Sequence, residues 1–183
     1  MIIFQNATRD HLAEIVLIER SSFSDPWTLR MLSTHLQPDC GNTFIVATDD
    51  DAVIGYAIAR TVDGEAELLN IAITQARRGE KLGAQLLDAI VHASRTDEAR
   101  EMWLEVRASN AVARSLYASH GFVQMGVRKR YYESPREDAI VLRADITSTV
   151  RKETITRAAL GFSAEPLDPI PSPATHSHRQ ETK

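Results

Sequence analysis

The chain has 183 residues, of which 43% are hydrophobic and 25% are charged, and its formal net charge is −4. This composition is typical of one globular domain with a sizeable core, and its mild acidity argues against a nucleic-acid-binding protein. No run of about 18 apolar residues is present and the N-terminal residues lack a signal-peptide pattern, so we expect a soluble, cytoplasmic protein without a membrane partner.

The first half of the chain is predicted to place two helices after an N-terminal strand. Thr8 is a suitable cap for a helix whose apolar positions, Leu12, Ile15, Val16 and Phe23, share one face. Pro26 interrupts this pattern, and a second short helix is expected over residues 28–36. Alternating segments bounded by Asp- and Gly-rich turns then predict an antiparallel meander of three strands, at residues 44–48, 53–60 and 65–73.

The second half alternates between helix and strand. A stripe of leucine, isoleucine and valine predicts a helix over residues 82–95, and an apolar segment predicts a strand over 102–106. Asn110 is placed to cap the next helix, and Gly121 to end it in a left-handed conformation. Two strands follow, at 122–132 and 139–144, so the order predicts an α/β fold: a mixed sheet covered by helices on both faces.

Residues 1–146 are therefore predicted to form the domain and residues 147–183 a flexible tail. Four of the seven prolines lie between Pro166 and Pro173 in this segment, and the last ten residues are polar, so the segment cannot bury enough apolar surface to order itself.

Several classes of chemistry find no support in the sequence. Cys40 lies in a segment typical of a turn, and no base neighbours it in the sequence. The six histidines show no spacing typical of metal ligands, so no metal is expected. Neither a Gly-x-Ser-x-Gly elbow nor a Walker loop is present, which argues against hydrolases and nucleotidases of those types.

The turn between residues 73 and 82 is a candidate anion site. It joins a predicted strand to the start of a helix, where unpaired backbone amides and the helix dipole favour a negative charge. Arg77, Arg78 and Lys81 add three cations within five residues, so a diphosphate is the natural ligand. An ordinary strand-to-helix turn with solvated basic residues explains this segment equally well.

Glu105 and Tyr117 are candidate proton-transfer residues. Glu105 lies between Leu104 and Val106, and partial desolvation there is expected to raise its pKa toward neutrality, as suits a general base. Tyr117 would stay protonated at neutral pH and could give its proton to a departing thiolate. The alternatives are an ion pair between Glu105 and Arg107, and simple core packing of Tyr117, which spacing alone favours.

These residues belong to a clear resemblance to the GNAT acetyltransferases, and within them to the RimI-type ribosomal-protein N-terminal acetyltransferases. It covers roughly residues 2–145. Its most specific parts are Leu69-Asn70-Ile71-Ala72-Ile73, the segment WLEVRASNAVARSLYASHGF from Trp103, the motifs Arg130-Tyr131-Tyr132 and Arg136-Glu137-Asp138-Ala139, and the pair Pro26-Trp27.

The resemblance implies a mostly antiparallel central sheet in which one parallel pair of strands splays into a notch for acetyl-CoA. The exposed backbone at Ile71, Ala72 and Ile73 is expected to bond the pantetheine amides, and Asn110 to contact the cofactor. The turn is expected to hold the diphosphate through Arg78, Gly79, Glu80, Lys81, Leu82, Gly83 and Ala84. Glu105 would be the base and Tyr117 the acid. Trp27, Tyr131 and Tyr132 would line the acceptor groove, and hydrophobic packing is the alternative explanation for these three.

One residue departs from the family pattern, because Lys81 occupies the position of the first conserved glycine in the turn. A lysine forced into a left-handed conformation costs about 1–2 kcal/mol, and its Cβ would crowd a phosphate. Either the local path differs, using Gly79, or the ammonium compensates by meeting the phosphate.

The predicted reaction is direct attack of an amine on the thioester. An α-amine with a pKa of about 8 is easier to deprotonate at neutral pH than a lysine of about 10.4, by about 3.3 kcal/mol, which favours chain N-termini. We therefore expect an acetyltransferase for a protein N-terminus, with a ribosomal protein as the expected acceptor. The alternatives are a lysine or small-amine acetyltransferase and, from another class, a non-catalytic acetyl-CoA-binding module.

Overall fold

A computed structural model describes residues 1–37 and 41–147. Cys40 and the predicted tail after Thr147 lie outside the described residues. The strands are β1 (Ile2–Asn6), β2 (Asn42–Asp49), β3 (Ala52–Val62), β4 (Glu65–Ile73), β5 (Glu101–Arg107), β6 (Val123–Glu133) and β7 (Arg136–Asp145). The helices are α1 (Leu12–Ser22), α2 (Leu29–Thr34), α3 (Leu82–Thr96) and α4 (Ala111–Ser119). Within the described part of the chain, no helix has the length and apolarity needed to span a bilayer.

All seven strands form one sheet in the order β1-β2-β3-β4-β5-β7-β6. Its neighbouring strands are antiparallel except β4 and β5, which are parallel. The crossover between these two strands is made by α3, as a parallel pair requires. The predicted α/β fold class, with its mostly antiparallel sheet and one parallel pair, is confirmed.

The sheet carries a hydrophobic core on each face. Side chains of successive strand residues point to opposite faces, so Tyr56 and Ile58 of β3 pack with α1 and α2, whereas Ala57 and Ala59 pack with α3. The α3 face also buries Tyr117 of α4. Helices therefore cover both faces, as the sequence predicted.

Local signals set both ends of α4 and the start of α2. The Thr28 hydroxyl accepts the Met31 N–H at 3.3 Å at the start of α2, and the Asn110 side chain accepts the Ala113 N–H at 3.1 Å at the start of α4. Gly121 has a φ of +82°, which fits its predicted role as a left-handed stop. The first helix was predicted too long: a 3-10 turn over Arg9–His11 separates Thr8 from α1, and Phe23 follows its last residue in an extended conformation.

The parallel pair parts after four residues, and this parting creates the notch. Pairing runs from Glu65 opposite Glu101 to Leu68 opposite Leu104 and goes no further. The register with β3 also shifts here, so that Leu69 is an extra residue in β4, and a bulge of this kind bends a strand and increases its twist. Beyond the bulge, no strand among the described residues pairs with the β5-facing backbone edge of β4.

Candidate active site

Glu105 is the first residue of β5 beyond the parting point. Met102, Leu104 and Val106 alternate with it and are buried against the α3 core, so the Glu105 side chain lies on the opposite face of the sheet. There it lines an open cleft of about 440 Å³, bounded by the N-terminal part of β4, by Trp103 of β5 and by Arg128 of β6. The carboxylate thus lies in a cleft on one face of the sheet, at the level where the strands separate.

Two side chains from β6 hold the Glu105 carboxylate. The Arg128 guanidinium lies 2.8 Å from it, with the carboxylate side chain only 18% exposed. The Tyr131 hydroxyl donates a hydrogen bond to Glu105, which together with partial burial raises the pKa of Tyr131 to about 12. The ion pair suggested by the sequence is wrong, because Arg107 pairs with Glu137 instead, at 3.4 Å. The predicted acidity of Glu105 stays a prediction.

Tyr117 projects from α4 into the core of the α3 face. Its ring packs against Phe122, with ring centroids 5.6 Å apart, and the residue is only 6% exposed. Burial raises the pKa of Tyr117 above its usual value, and the neighbouring Tyr132 adds to the effect. Core packing is therefore observed, and it keeps the phenol protonated, as an acid must be.

Tyr132 lies near both candidate catalytic residues. Burial raises the pKa of Tyr132, and the negative charge of Glu105 raises it further. Since Tyr132 also acts on Tyr117, it lies within electrostatic reach of both groups. The rings of Tyr131 and Tyr132 meet edge to face at 5.2 Å, so the two tyrosines form one aromatic unit beside Glu105.

A bulge in β6 allows both tyrosines to approach Glu105. Arg128 pairs with Ala139 and Tyr132 with Glu137, so three residues of β6 lie opposite Asp138 alone. The middle residue, Arg130, has a φ of +54°. Asp138 stabilises this conformation by accepting the Arg130 N–H at 2.8 Å and the Lys129 ammonium at 2.7 Å. Sequential residues of a regular strand would point to opposite faces.

Arg107, on the same face of β5 as Glu105, ties together two loops. Its guanidinium donates to the carbonyls of Ser134 and Pro135, in the β6–β7 turn, at 3.0 and 3.1 Å. It also donates to the Ser24 hydroxyl, in the loop between α1 and α2, at 3.0 Å. The same group lies 4.1 Å from the centroid of the Tyr132 ring. Both loops are therefore fixed relative to Glu105 through one side chain.

The predicted anion turn has less free positive charge than the sequence suggested. Arg77 pairs with Asp49 and Glu80, each at 2.9 Å. Arg78 donates to the Ile73 carbonyl at 3.1 Å and to the Ser22 hydroxyl at 2.9 Å. Lys81 is exposed and forms no ion pair with any described residue. Arg78 bonds only to neutral oxygens and so keeps its charge, but its guanidinium is held in place, and Lys81 is the cation whose side chain remains available to meet an anion at the start of α3.

The turn places two residues in the left-handed region. Gly79 has a φ of +87°, and Lys81 has a φ of +61°. The lysine that replaces the family glycine is therefore left-handed, and Gly79 supplies a second left-handed position. Gly83, in the first turn of α3, lies beside α4, where an added Cβ would meet Leu116 at 3.6 Å.

Trp27 packs at the α1–α2 loop. Its ring stacks on His35, with centroids 4.8 Å apart and planes 12° from parallel, and it is partly buried against the α1 core. Its backbone N–H donates to Glu19 at 3.3 Å. The packing alternative is thus observed for Trp27, and its contact with an acceptor stays a prediction.

Comparison with known proteins identifies this arrangement. The model of the acetyltransferase (GNAT) family matches residues 12–122. The chain belongs to this family. It is 34% identical over 128 residues to the [ribosomal protein bS18]-alanine N-acetyltransferase of Haemophilus ducreyi. This match covers 68% of this chain and 87% of that protein. The enzyme of the same name from Escherichia coli K12 is 33% identical over 132 residues, covering 71% of this chain and 88% of that protein.

A solved structure supports the same assignment for this GNAT acetyltransferase. The crystal structure of the ribosomal-protein-S18-alanine N-acetyltransferase from Escherichia coli superimposes with a TM-score of 0.75 at 28% sequence identity. The match covers 85% of this chain and 100% of that chain. GNAT acetyltransferases use acetyl-CoA as acetyl donor. Across residues 1–37 and 41–147, no three His, Cys, Asp or Glu side chains are grouped so as to hold a metal ion.

The structure adds four side chains to the site of this acetyltransferase that sequence reasoning did not place there. Arg128 pairs with Glu105, Arg107 joins the two loops, and Asp138 holds the β6 bulge. Glu137 accepts the Ser109 N–H at the β5–α4 connection as well as pairing with Arg107. Two of them, Glu137 and Asp138, lie in the Arg-Glu-Asp-Ala motif, which the sequence supplied as a resemblance without a physical role.

Proposed function

We propose that this acetyltransferase transfers the acetyl group of acetyl-CoA to the N-terminal α-amine of a protein. Its proposed acceptor is ribosomal protein bS18, because the relatives described above carry bS18-alanine N-acetyltransferase in their names. The observation that carries the proposal is the position of Glu105. It lies where β4 and β5 separate, between an open cleft and an unpaired backbone edge.

The residues around the notch fit acetyl-CoA as a ligand. The free edge of β4 at Ile71, Ala72 and Ile73 offers backbone groups to the amides of the pantetheine arm, as an added strand would. One acceptor on this strand, the Ile73 carbonyl, is already shared with Arg78. The exposed ammonium of Lys81 and the first amides of α3 suit the diphosphate. Acetyl-CoA supplies the activated thioester.

Glu105 then acts as the general base. Its carboxylate accepts a proton from the incoming amine, directly or through a water molecule, while Arg128 and Tyr131 hold it in place. The nitrogen attacks the thioester carbon and no acyl-enzyme forms, so both substrates must be bound together. Proximity of the two substrates supplies much of the rate enhancement.

Tyr117 acts on the leaving group, the thiolate of CoA. Its buried phenol keeps its proton throughout the working pH range, since burial raises the pKa of Tyr117. A thiol is more acidic than this phenol, with a pKa near 8.5 if cysteine is a guide, so complete proton transfer from Tyr117 is uphill. Tyr117 therefore stabilises the developing thiolate by donating a hydrogen bond along the path of proton transfer.

The acceptor enters the cleft on the Glu105 face. We propose that Trp27, Tyr131 and Tyr132 flank its first residues, since Arg107, on the same face of β5 as Glu105, holds together the loop that contains Trp27 and the turn that follows the two tyrosines. The reaction needs a polypeptide partner and no nucleic acid or membrane, and we assign it to the cytoplasm, where ribosomal proteins are made. Residues 1–146 carry the reaction and residues 147–183 are dispensable for it.

A thiol-release assay with matched peptides tests the proposal. Peptides that differ only in their first residue, Ala, Ser, Gly or Met, are compared with a peptide whose N-terminus is blocked and which carries an internal lysine. We expect CoA release with a free N-terminus, fastest with alanine. Faster release with the blocked lysine peptide would favour lysine acetylation. If no amine, bS18 included, causes CoA release, the result would favour the alternative of a non-catalytic acetyl-CoA-binding module.

Two controls strengthen this assay. Initial-rate patterns should show both substrates bound before product leaves, and ping-pong kinetics would contradict direct attack. A chain ending at residue 147 should keep the activity of the full chain, and a loss of folding or activity would show that the tail is needed.

A further inference from the structure

A buried carboxylate that takes no part in the proposed proton transfer lies beneath the α1–α2 loop. Glu19, in the last part of α1, is completely buried. Desolvation raises the pKa of Glu19, and no described residue forms an ion pair with it. A buried acid without a cation is costly unless several donors satisfy it, so the groups around Glu19 must account for its presence.

Three donors from three different elements satisfy both oxygens of Glu19. The Tyr56 hydroxyl of β3 and the Asn70 amide of β4, the latter at 2.6 Å, both donate to Oε1. The backbone N–H of Trp27, in the α1–α2 loop, donates to Oε2 at 3.3 Å. Each partner is a donor in this geometry, and the carboxylate is the side-chain group that accepts at both of its oxygens.

These partners lie on the two halves of the proposed site. Asn70 follows the bulge residue Leu69 and precedes Ile71, on the strand edge assigned to acetyl-CoA. Trp27 lies in the loop that also contacts the β6–β7 turn through Ser24. Glu19 therefore connects the acceptor side of the site to the cofactor side, because its Oε2 accepts the Trp27 N–H and its Oε1 accepts the Asn70 amide.

We infer that Glu19 is a positioning residue for the transfer reaction, which fixes residues 23–28, the acceptor loop, against the notch edge of β4. This inference rests on the proposed function, because it assigns the loop to acceptor binding. Oε1 anchors Glu19 to the sheet, and Oε2 is the atom that holds the loop. Loss of the Oε2 bond alone should weaken acceptor binding and leave acetyl-CoA binding intact.

The pair Glu19→Gln and Tyr56→Phe separates this role from a purely structural one. In Glu19→Gln one oxygen can still accept from Tyr56 and Asn70, but the new NH2 group then faces the Trp27 N–H, and two donors cannot pair. Tyr56→Phe removes a hydrogen bond from the same buried cluster and leaves the loop bond in place. Both variants lose one buried hydrogen bond, and only the first releases the loop.

Steady-state kinetics with acetyl-CoA and the alanine-start peptide provide the first readout. We expect Glu19→Gln to raise the KM for the peptide roughly tenfold, as for one lost hydrogen bond to a charged group. Its KM for acetyl-CoA should change less than about twofold, and Tyr56→Phe should change neither KM beyond that. Unchanged peptide KM in Glu19→Gln, or an equal increase in both variants, would overturn the inference.

Hydrogen exchange at the Trp27 amide provides a second readout that needs no turnover. Exchange should accelerate in Glu19→Gln and stay at the wild-type rate in Tyr56→Phe. Equal rates in the two variants would contradict the claim that Glu19 holds the acceptor loop. If Glu19→Gln does not fold, Glu19→Asp, which keeps the charge but is one methylene shorter, is tested by the same criteria. Absence of wild-type turnover would remove the proposed function, whereas wild-type turnover with an unchanged Glu19→Gln peptide KM would remove this inference alone.

Discussion

Replacing Lys81 with glycine should move stability and acetyl-CoA affinity in opposite directions. The lysine has φ +61° and ψ +10°, in the left-handed region where a side chain costs about 1–2 kcal/mol. Glycine avoids that strain but loses about 0.5–1 kcal/mol more backbone entropy on folding. The expected net gain is about 0.5–1 kcal/mol in the free energy of unfolding, or a rise of about 1–4 °C in Tm for a chain of this size.

The loss of affinity comes from the missing ammonium. Arg77 is already paired with Asp49 and Glu80, and the Arg78 guanidinium is held by the Ile73 carbonyl and the Ser22 hydroxyl, so neither can replace Lys81 without breaking those bonds. An exposed charge pair at about 4 Å contributes about 1 kcal/mol in water, and a hydrogen bond to a charged group about 1.5–3 kcal/mol. A loss of about 1–2 kcal/mol corresponds to roughly 5- to 30-fold weaker binding.

Lys81→Gln is the matched control for this experiment, because it keeps the strained Cβ and removes only the charge. Titration calorimetry with acetyl-CoA should show similar weakening in Lys81→Gly and Lys81→Gln, and raised salt should reduce the difference from wild type. Thermal unfolding without ligand should show the gain in Tm for glycine alone. Unchanged or tighter acetyl-CoA binding by Lys81→Gly would refute the reasoning, and would indicate that the lysine Cβ hinders the phosphate.

Four further changes test the site. Glu105→Gln should lower kcat/KM by about 10²- to 10⁴-fold from neutral to alkaline pH without weakening acetyl-CoA binding, and equal turnover across that range would exclude Glu105 as the base. Tyr117→Phe should lower kcat by about 10²-fold or somewhat less with Tm nearly unchanged; an unaltered kcat would remove its role at sulfur. Arg107→Ala should lower the free energy of unfolding in urea by about 1–3 kcal/mol, and Arg107→Lys should recover only part of it because an ammonium lacks the planar array of donors of a guanidinium. Full recovery in Arg107→Lys would count against the role of Arg107 in joining the two loops. Burial lowers the pKa of His35, so the contribution of the neutral imidazole to stability is fully present above about pH 6.5 and is lost as the pH falls. His35→Phe should therefore flatten the decline of Tm between pH 7.5 and 5.5. An unchanged decline would show that other groups cause it.

Features set by neighbouring residues were predictable from the sequence. The strand predicted over residues 65–73 has those bounds in the structure, since alternating burial and flanking turns mark both of its ends. Asn110 caps α4 and Gly121 follows it in a left-handed conformation, because each acts through backbone groups within a few positions. The α/β class follows from the order of such elements.

Partners fixed by distant parts of the chain could not be predicted in the same way. Arg107 lies two positions after Glu105 and therefore on the same face of β5, which made it the expected cation for that carboxylate. In the structure Arg107 bonds to the β6–β7 turn and to Glu137. Arg128, 23 positions from Glu105, forms the ion pair with Glu105. Arg77 likewise forms an ion pair with Asp49, 28 positions away. Sequence spacing contains no information on which strands become neighbours at these points.

Two interruptions of regular strand pairing create the site, and both depend on residues outside the proposed chemistry. The extra residue Leu69 ends the pairing of β4 with β5 and exposes the edge beside Glu105. The β6 bulge brings Tyr131 and Tyr132 to the same carboxylate, and it requires a left-handed arginine that is stabilised by Asp138. Because bulges are set by register between strands, neither was visible in the hydrophobic pattern, although Asp138 and Asn70 both lie in motifs that the resemblance singled out. Asp138, a residue of this family pattern that performs no proton transfer, is thus explained by the geometry it imposes on Tyr131 and Tyr132 beside Glu105.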